Sequence, residues 1–177
     1  MANPDIANGF RPVSAPHSKG QPVATEYPLH ATNSEIGIGT PVEIVDGGVN
    51  IGTAGTGNAL LGIAAEYKAA SSGGVIKVWA DPQQEFVAQT DDGTGTATAL
   101  AAIGLNINFI GTGVTGLNGE SELDESSATT GATLQFKIIR LWKGIIGKTE
   151  NSHGEFNRLV VKINNHQLQG HTGTAGV

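Results

Sequence analysis

Apolar and polar positions alternate most regularly in two late stretches of the chain. In Thr133–Trp142, Leu134, Phe136 and Ile138 share one face, with Gln135 and Lys137 on the other. In Phe156–Ile163, Leu159, Val161 and Ile163 oppose Arg158 and Lys162. A period of two in β-branched and aromatic residues predicts strands with one buried face. Between them, Trp142 to Glu155 carries Gly144, Gly147, Asn151 and Gly154, turn residues that predict a connection between two antiparallel strands.

Shorter signals of the same kind precede this pair. Pro41–Val45 and Val49–Ile51 flank Asp46-Gly47-Gly48, the signature of a hairpin. Gly52–Asn58 reads as a loop. Leu60–Lys68 reads as a strand on the alternation of Leu61, Ile63 and Ala65, although its Ala and Leu content also permits a short helix. In Val75–Ala80, Ile76, Val78 and Ala80 oppose Val75, Lys77 and Trp79, and Asp81-Pro82 ends the strand. Glu85–Gln89 and Leu105–Ile110 follow as short strands, with a helical turn at Ala99–Gly104 between them. Gly111–Thr130 is mostly Gly, Ser, Thr and acid, which predicts a long loop insertion of the kind that contacts something. These elements sum to a mainly β fold: a small β-barrel or β-sandwich of short antiparallel strands with long loops.

Composition adds constraints. Glycine, at 26 residues, is about twice as frequent as usual, which favours short strands over helices. Aromatic residues are 5% of the chain and Cys is absent, so the core is aliphatic and held without disulfides or thiolate-bound metal. Five of the seven prolines (Pro4, Pro12, Pro16, Pro22 and Pro28) lie near the start. Proline removes a backbone donor and biases its predecessor to extended conformations. Residues 1–34 therefore predict an extended Pro-rich N-terminal arm, and residues 35–177 a β-rich domain. Phe10, Val13, Val23, Tyr27 and Leu29 recur along the arm, which is either a disordered tail or a segment that orders on a neighbouring subunit. No apolar run approaches the roughly 20 residues that span a bilayer, and the polar N-terminus has no signal-peptide core. A soluble chain made in a cytoplasm is expected.

The net charge of −6 conceals a polarity. Residues 1–132 carry four basic and fourteen acidic groups, whereas residues 133–177 carry six and two. The acidic bulk argues against nucleic-acid binding, which needs a basic face. Cations on the late strands suit either a solvated face or an acidic partner.

Several motifs invite a chemical reading and do not sustain one. Gly111-Thr-Gly113-Val-Thr-Gly116 matches a dinucleotide fingerprint, but Leu-Asn-Gly-Glu-Ser follows where an apolar helix must begin. Gly147-Lys148-Thr149 resembles the end of a P-loop, but Trp142 stands where its first glycine belongs. Asp91, Asp92 and the acids of Glu120–Glu125 lack the spacing of a calcium loop, so a solvated acidic loop is the plainer account. His17, His30, His153, His166 and His171 show no ligand spacing. No nucleophile motif is present, and no catalytic, metal or cofactor site is expected.

A resemblance adds what periodicity does not. Asn8-Gly9-Phe10-Arg11-Pro12-Val13 resembles the opening of short structural proteins from tailed-phage head gene clusters. Ala102-Ile103-Gly104-Leu105-Asn106 and Thr115 through Asp124 resemble that family's middle segment. Leu134–Trp142 with Val160-Val161-Lys162-Ile163-Asn164-Asn165-His166-Gln167-Leu168 is similar to its closing strand pair. The resemblance implies a capsid decoration (cement) protein, bound outside the major capsid protein shell of the virion, β-rich, homotrimeric and without catalytic residues. With it, the arm is expected to order on a partner through Phe10, Arg11, Pro12, Val13, Tyr27 and Leu29, while the free domain keeps its stability without it. The competing class is a β-sandwich module for glycans or host-surface ligands, with Trp79 and Trp142 as stacking platforms.

Overall fold

The computed structural model describes residues 3–14, 20–91, 100–146, 149–169 and 176. In chain order, the first strands are β1 (Arg11–Ser14), β2 (Thr25–Pro28), β3 (Pro41–Val45), β4 (Gly48–Ile51) and β5 (Gly62–Ala64). Then come β6 (Val75–Trp79), β7 (Glu85–Gln89), β8 (Asn106–Ile110), β9 (Val114–Thr115) and β10 (Asn118–Gly119). The last are β11 (Glu122–Thr129), β12 (Phe136–Leu141), β13 (Ile145–Ile146), β14 (Thr149–Glu150) and β15 (Arg158–Ile163). The expected helical turn before β8 is a 3-10 turn, Leu100–Ala102.

Two antiparallel sheets carry the fold, in a sandwich-like arrangement rather than a closed barrel. One has the order β1-β7-β15-β12-β8-β11 and the other β2-β6-β5-β3-β4. The predicted late pair lies at the centre of the first, with Phe136 opposite Ile163 and Ile138 opposite Val161. The predicted hairpin is β3–β4, turning through Asp46 and Gly47, both at positive φ (48° and 80°). That conformation is why Gly follows Asp there. Each sheet curls until distant strands touch at a single bridge, Leu29 with Val49 in the smaller sheet and Thr90 with Leu123 in the larger.

Two cores result, with β5 and β6 as the wall between them. Ile63 and Leu60 enter the larger core with Phe86, Phe109 and Phe136, and Trp79 packs against it. Leu61, Ala64, Ile76 and Val78 enter the smaller one with Ile36 and Val42. Every residue of β5 is buried, because both of its faces meet apolar side chains. Gln135, expected to face solvent, is also fully buried. The Gly52–Asn58 loop covers it: its Nε2 donates to the Thr53 carbonyl (2.8 Å) and its Oε1 accepts from the Gly55 amide (3.1 Å).

Two expectations need correction. The N-terminal segment is extended, but over its described residues it is woven into its own domain. β1 pairs with β7 and β2 with β6. Phe10 is fully buried and stacks on Phe136 at a centroid distance of 4.6 Å, and Leu29 is 8% exposed in the smaller core. These two therefore cannot reach a partner, and the segment is not separable from the domain; Pro16 and His17 lie outside the described residues. Second, Gly111–Thr130 is not a bare loop. It forms the β9–β10 hairpin and the eight-residue edge strand β11, whose buried positions are Leu123 and Glu125. Just past β15, His166 is buried and bridged to Leu60.

Truncating a fully buried Phe costs about 3–5 kcal/mol. Phe10→Ala should lose about that much in denaturant unfolding, whereas Val23→Ala, at a site 59% exposed, should stay within about 0.5 kcal/mol. Equal small effects at both positions would show that the segment is only loosely attached.

Candidate functional site

A β-bulge builds the most distinctive surface of the molecule. The register of β12 on β15 slips between Ile138 and Arg140, so that Val161 faces Ile138 while Val160 faces Arg140. An extra residue reverses the alternation beyond it. Arg140 turns outward and Leu141 packs on the larger core. Past the bulge lies an open groove of about 640 Å³, lined by Val13, Leu100, Ile103, Arg140, Leu141, Trp142, Lys143 and His153. A second depression of about 520 Å³ continues from Leu141 and Lys143 to Ile145, Glu150 and Asn151.

The groove is held by hydrogen bonds rather than by loose loops. Asn151 donates from Nδ2 to the carbonyls of Trp142 (2.7 Å) and Arg158 (2.8 Å), and its Oδ1 accepts from the Arg158 amide (2.9 Å). That one side chain closes the base of the excursion between β12 and β15. Asn3 secures its far side, donating to the carbonyls of Ser152 (2.9 Å) and Glu155 (2.8 Å). Trp142 lies against Gly144 so closely that a Cβ there would fall within the indole. Arg140 is held by Glu85 at 3.1 Å, and Leu100 is 74% exposed.

A second surface gathers acids where the N-terminal segment meets β11. Gln89 donates from Nε2 to both Asp5 and Glu122 (2.9 Å each), and its Oε1 accepts from the Ile6 amide (3.0 Å). Burial pushes the Glu122 carboxyl up to about 7, assisted by the charges of Asp5, Asp91 and Glu120 and opposed by the Gln89 hydrogen bond. Asp91 accepts from the Glu125 amide (3.0 Å). Among the described residues, no three His, Asp or Glu converge as metal ligands; Asp92 and His171 lie outside them. The Gly111–Gly116 fingerprint opens a hairpin, not a helix, and Gly147 and Lys148 of the P-loop-like run lie outside the described residues.

Of the expected contact residues, only Val13 lines the groove. Arg11 is turned to its own chain, donating from Nη2 to Asn8 (2.7 Å) and Asn118 (2.8 Å). Pro12 is half-buried in β1, and Tyr27 packs against the smaller core. Of the two tryptophans, Trp79 packs against the larger core and Trp142 lines the groove. Sequence reasoning missed Leu100, Ile103, Arg140, Leu141, Lys143 and His153 as one site, because three separate segments supply them. Comparison with protein-family models, curated proteins and solved structures finds no match to this chain.

The Glu122 shift sets the sign of a pH effect. Between about pH 4.5 and 7 the folded chain keeps a proton that the unfolded chain has lost, so Glu122 makes stability fall as pH rises through that window. Glu122→Gln retains an oxygen for Gln89 and removes the charge. It should raise Tm at pH 8 and leave it nearly unchanged at pH 4. A variant that melts lower than the parent at pH 8 would mean the carboxylate is stabilising there.

Proposed function

We propose that this chain is a capsid decoration protein of a tailed-phage head, binding the outside of the major capsid protein shell and reinforcing it as a homotrimer. The observation that carries the reading is the bulge-built groove. Val13, Leu100, Ile103, Leu141 and Trp142 give it an apolar lining, Arg140, Lys143 and His153 line it as well, and hydrogen bonds from Asn151 and Asn3 hold its frame. Apolar surface rimmed by charge is the anatomy of a protein docking face, and a preorganised frame lowers the ordering cost of binding. The groove thus serves as a docking face for another shell subunit. The family resemblance at Asn8–Val13 and over the closing strand pair supports the same reading. Partner contact falls on the groove and the exposed hairpin, in place of the buried Phe10 and Leu29.

Trp142 beside Arg140, Lys143 and His153 also favours a second reading, an anionic glycan stacked on the indole. The groove floor offers few polar partners for sugar hydroxyls, which favours protein.

The test is retention on capsids of the encoding phage that lack this chain. Added protein should sediment with them and raise the temperature at which they release their genome. Folded protein that stays in the supernatant while binding an acidic sugar on a glycan array would replace the decoration reading with the second one.

A further inference from the structure

The cation-lined groove has a counterpart elsewhere in the fold, an exposed hairpin followed by Glu120. β9 and β10 form a tight hairpin with Gly116 and Leu117 at its tip. Leu117 is 58% exposed and Ile110, just before the hairpin, 43%. The hairpin is rigidly based: the Ile38 amide donates to the Leu117 carbonyl (2.8 Å), the Gly119 amide to the Ile38 carbonyl (2.9 Å), and Arg11 to Asn118 (2.8 Å). Glu120 closes it through a hydrogen bond from Thr115. Beyond it in the chain, the Glu122 carboxyl feels the charges of Asp5, Asp91 and Glu120.

We infer that the groove is filled by a second copy of this chain, whose β9–β10 hairpin inserts Leu117 between Leu100 and Trp142 and sets Glu120 against Lys143 and His153. The inference rests on the reading of the groove as a docking face and names its occupant. Two features select a copy of this chain. The hairpin presents an exposed aliphatic tip with Glu120 beside it, and the groove presents an apolar lining with Arg140 and Lys143 beside it, so polarity and charge sign match. Each copy then gives one hairpin and receives another. Such a head-to-tail contact closes into a ring when the rotation allows, which is how a trimer would form.

The absence of cysteine makes this testable by crosslinking. Leu117→Cys and Leu100→Cys chains, both altered at exposed sites, are mixed and oxidised with copper–phenanthroline, after melts show that each is folded. The expected result is a disulfide joining one variant to the other, in clear excess over self-crosslinking of either alone. Adding Lys143→Glu to the Leu100→Cys chain should lower its yield about two- to fivefold, the range for an exposed ion pair. Adding Glu120→Lys to the Leu117→Cys chain should then restore it. A mixed crosslink no more abundant than the self-crosslinks, or indifferent to both charge reversals, overturns the inference. If that happens while the parent chain still sediments with capsids, decoration stands and the groove receives another protein. If crosslinking succeeds while capsid retention fails, self-docking stands and decoration falls.

Discussion

Phe136 is the contact on which the larger half of the molecule depends. It pairs across the sheet with Ile163 on one side and Ile107 on the other. Its ring is covered by Phe10, stacked at 4.6 Å, and edged by Phe109 at 6.5 Å. With aromatic residues at only 5% of the chain, three of the five phenylalanines meet here. A chain this poor in aromatics has few large side chains to spend on burial, and concentrating them makes one site decisive. That concentration explains why an N-terminal segment rich in proline is retained in the fold at all. Phe10 caps the core, and the backbone on either side of it becomes β1 and the Asn3 clamp.

The same attachment links core packing to the groove. Asn3 holds the excursion that carries His153, and Val13 forms one wall. The N-terminal segment is thus part of the candidate site twice over, directly through Val13 and indirectly through the Asn3 bonds on either side of His153. Loss of Phe10 would loosen the groove without touching any residue on its floor. An arm that merely trailed from the domain would show no such coupling.

How much of this was legible in the sequence depends on whether a signal is local. The alternation of Leu134, Phe136 and Ile138 announced β12, and Asp46-Gly47 announced its hairpin, because period and turn chemistry are properties of neighbouring residues. The mainly β class followed from many such signals. Edge strand β11 was missed because Glu-Leu-Asp-Glu-Ser-Ser-Ala-Thr has only one large apolar residue, Leu123, and an edge strand needs little more. The fate of Phe10 was missed because its partner lies far along the chain, and extended Pro-rich sequence looks the same whether it trails or packs. Likewise nothing in Ile138-Ile139-Arg140 marks the bulge: strict alternation would have turned Arg140 inward.

That bulge also shows why charge counting alone was an incomplete guide to the surface. The described cations among residues 133–177 do not form one basic face. Arg158 donates to the Ile6 carbonyl, Arg140 pairs with Glu85, and Lys137 and Lys162 sit opposite each other in mid-sheet. The slip in register separates Arg140 from that ladder and brings it beside Lys143 and His153, over a floor of Leu and Trp. A cation on a flat sheet face is hydrated and contributes little to association. Beside an apolar floor it is partly desolvated when a partner arrives, and its pairing then discriminates between partners by sign. The groove is therefore the place where the net polarity of the sequence acquires directional meaning.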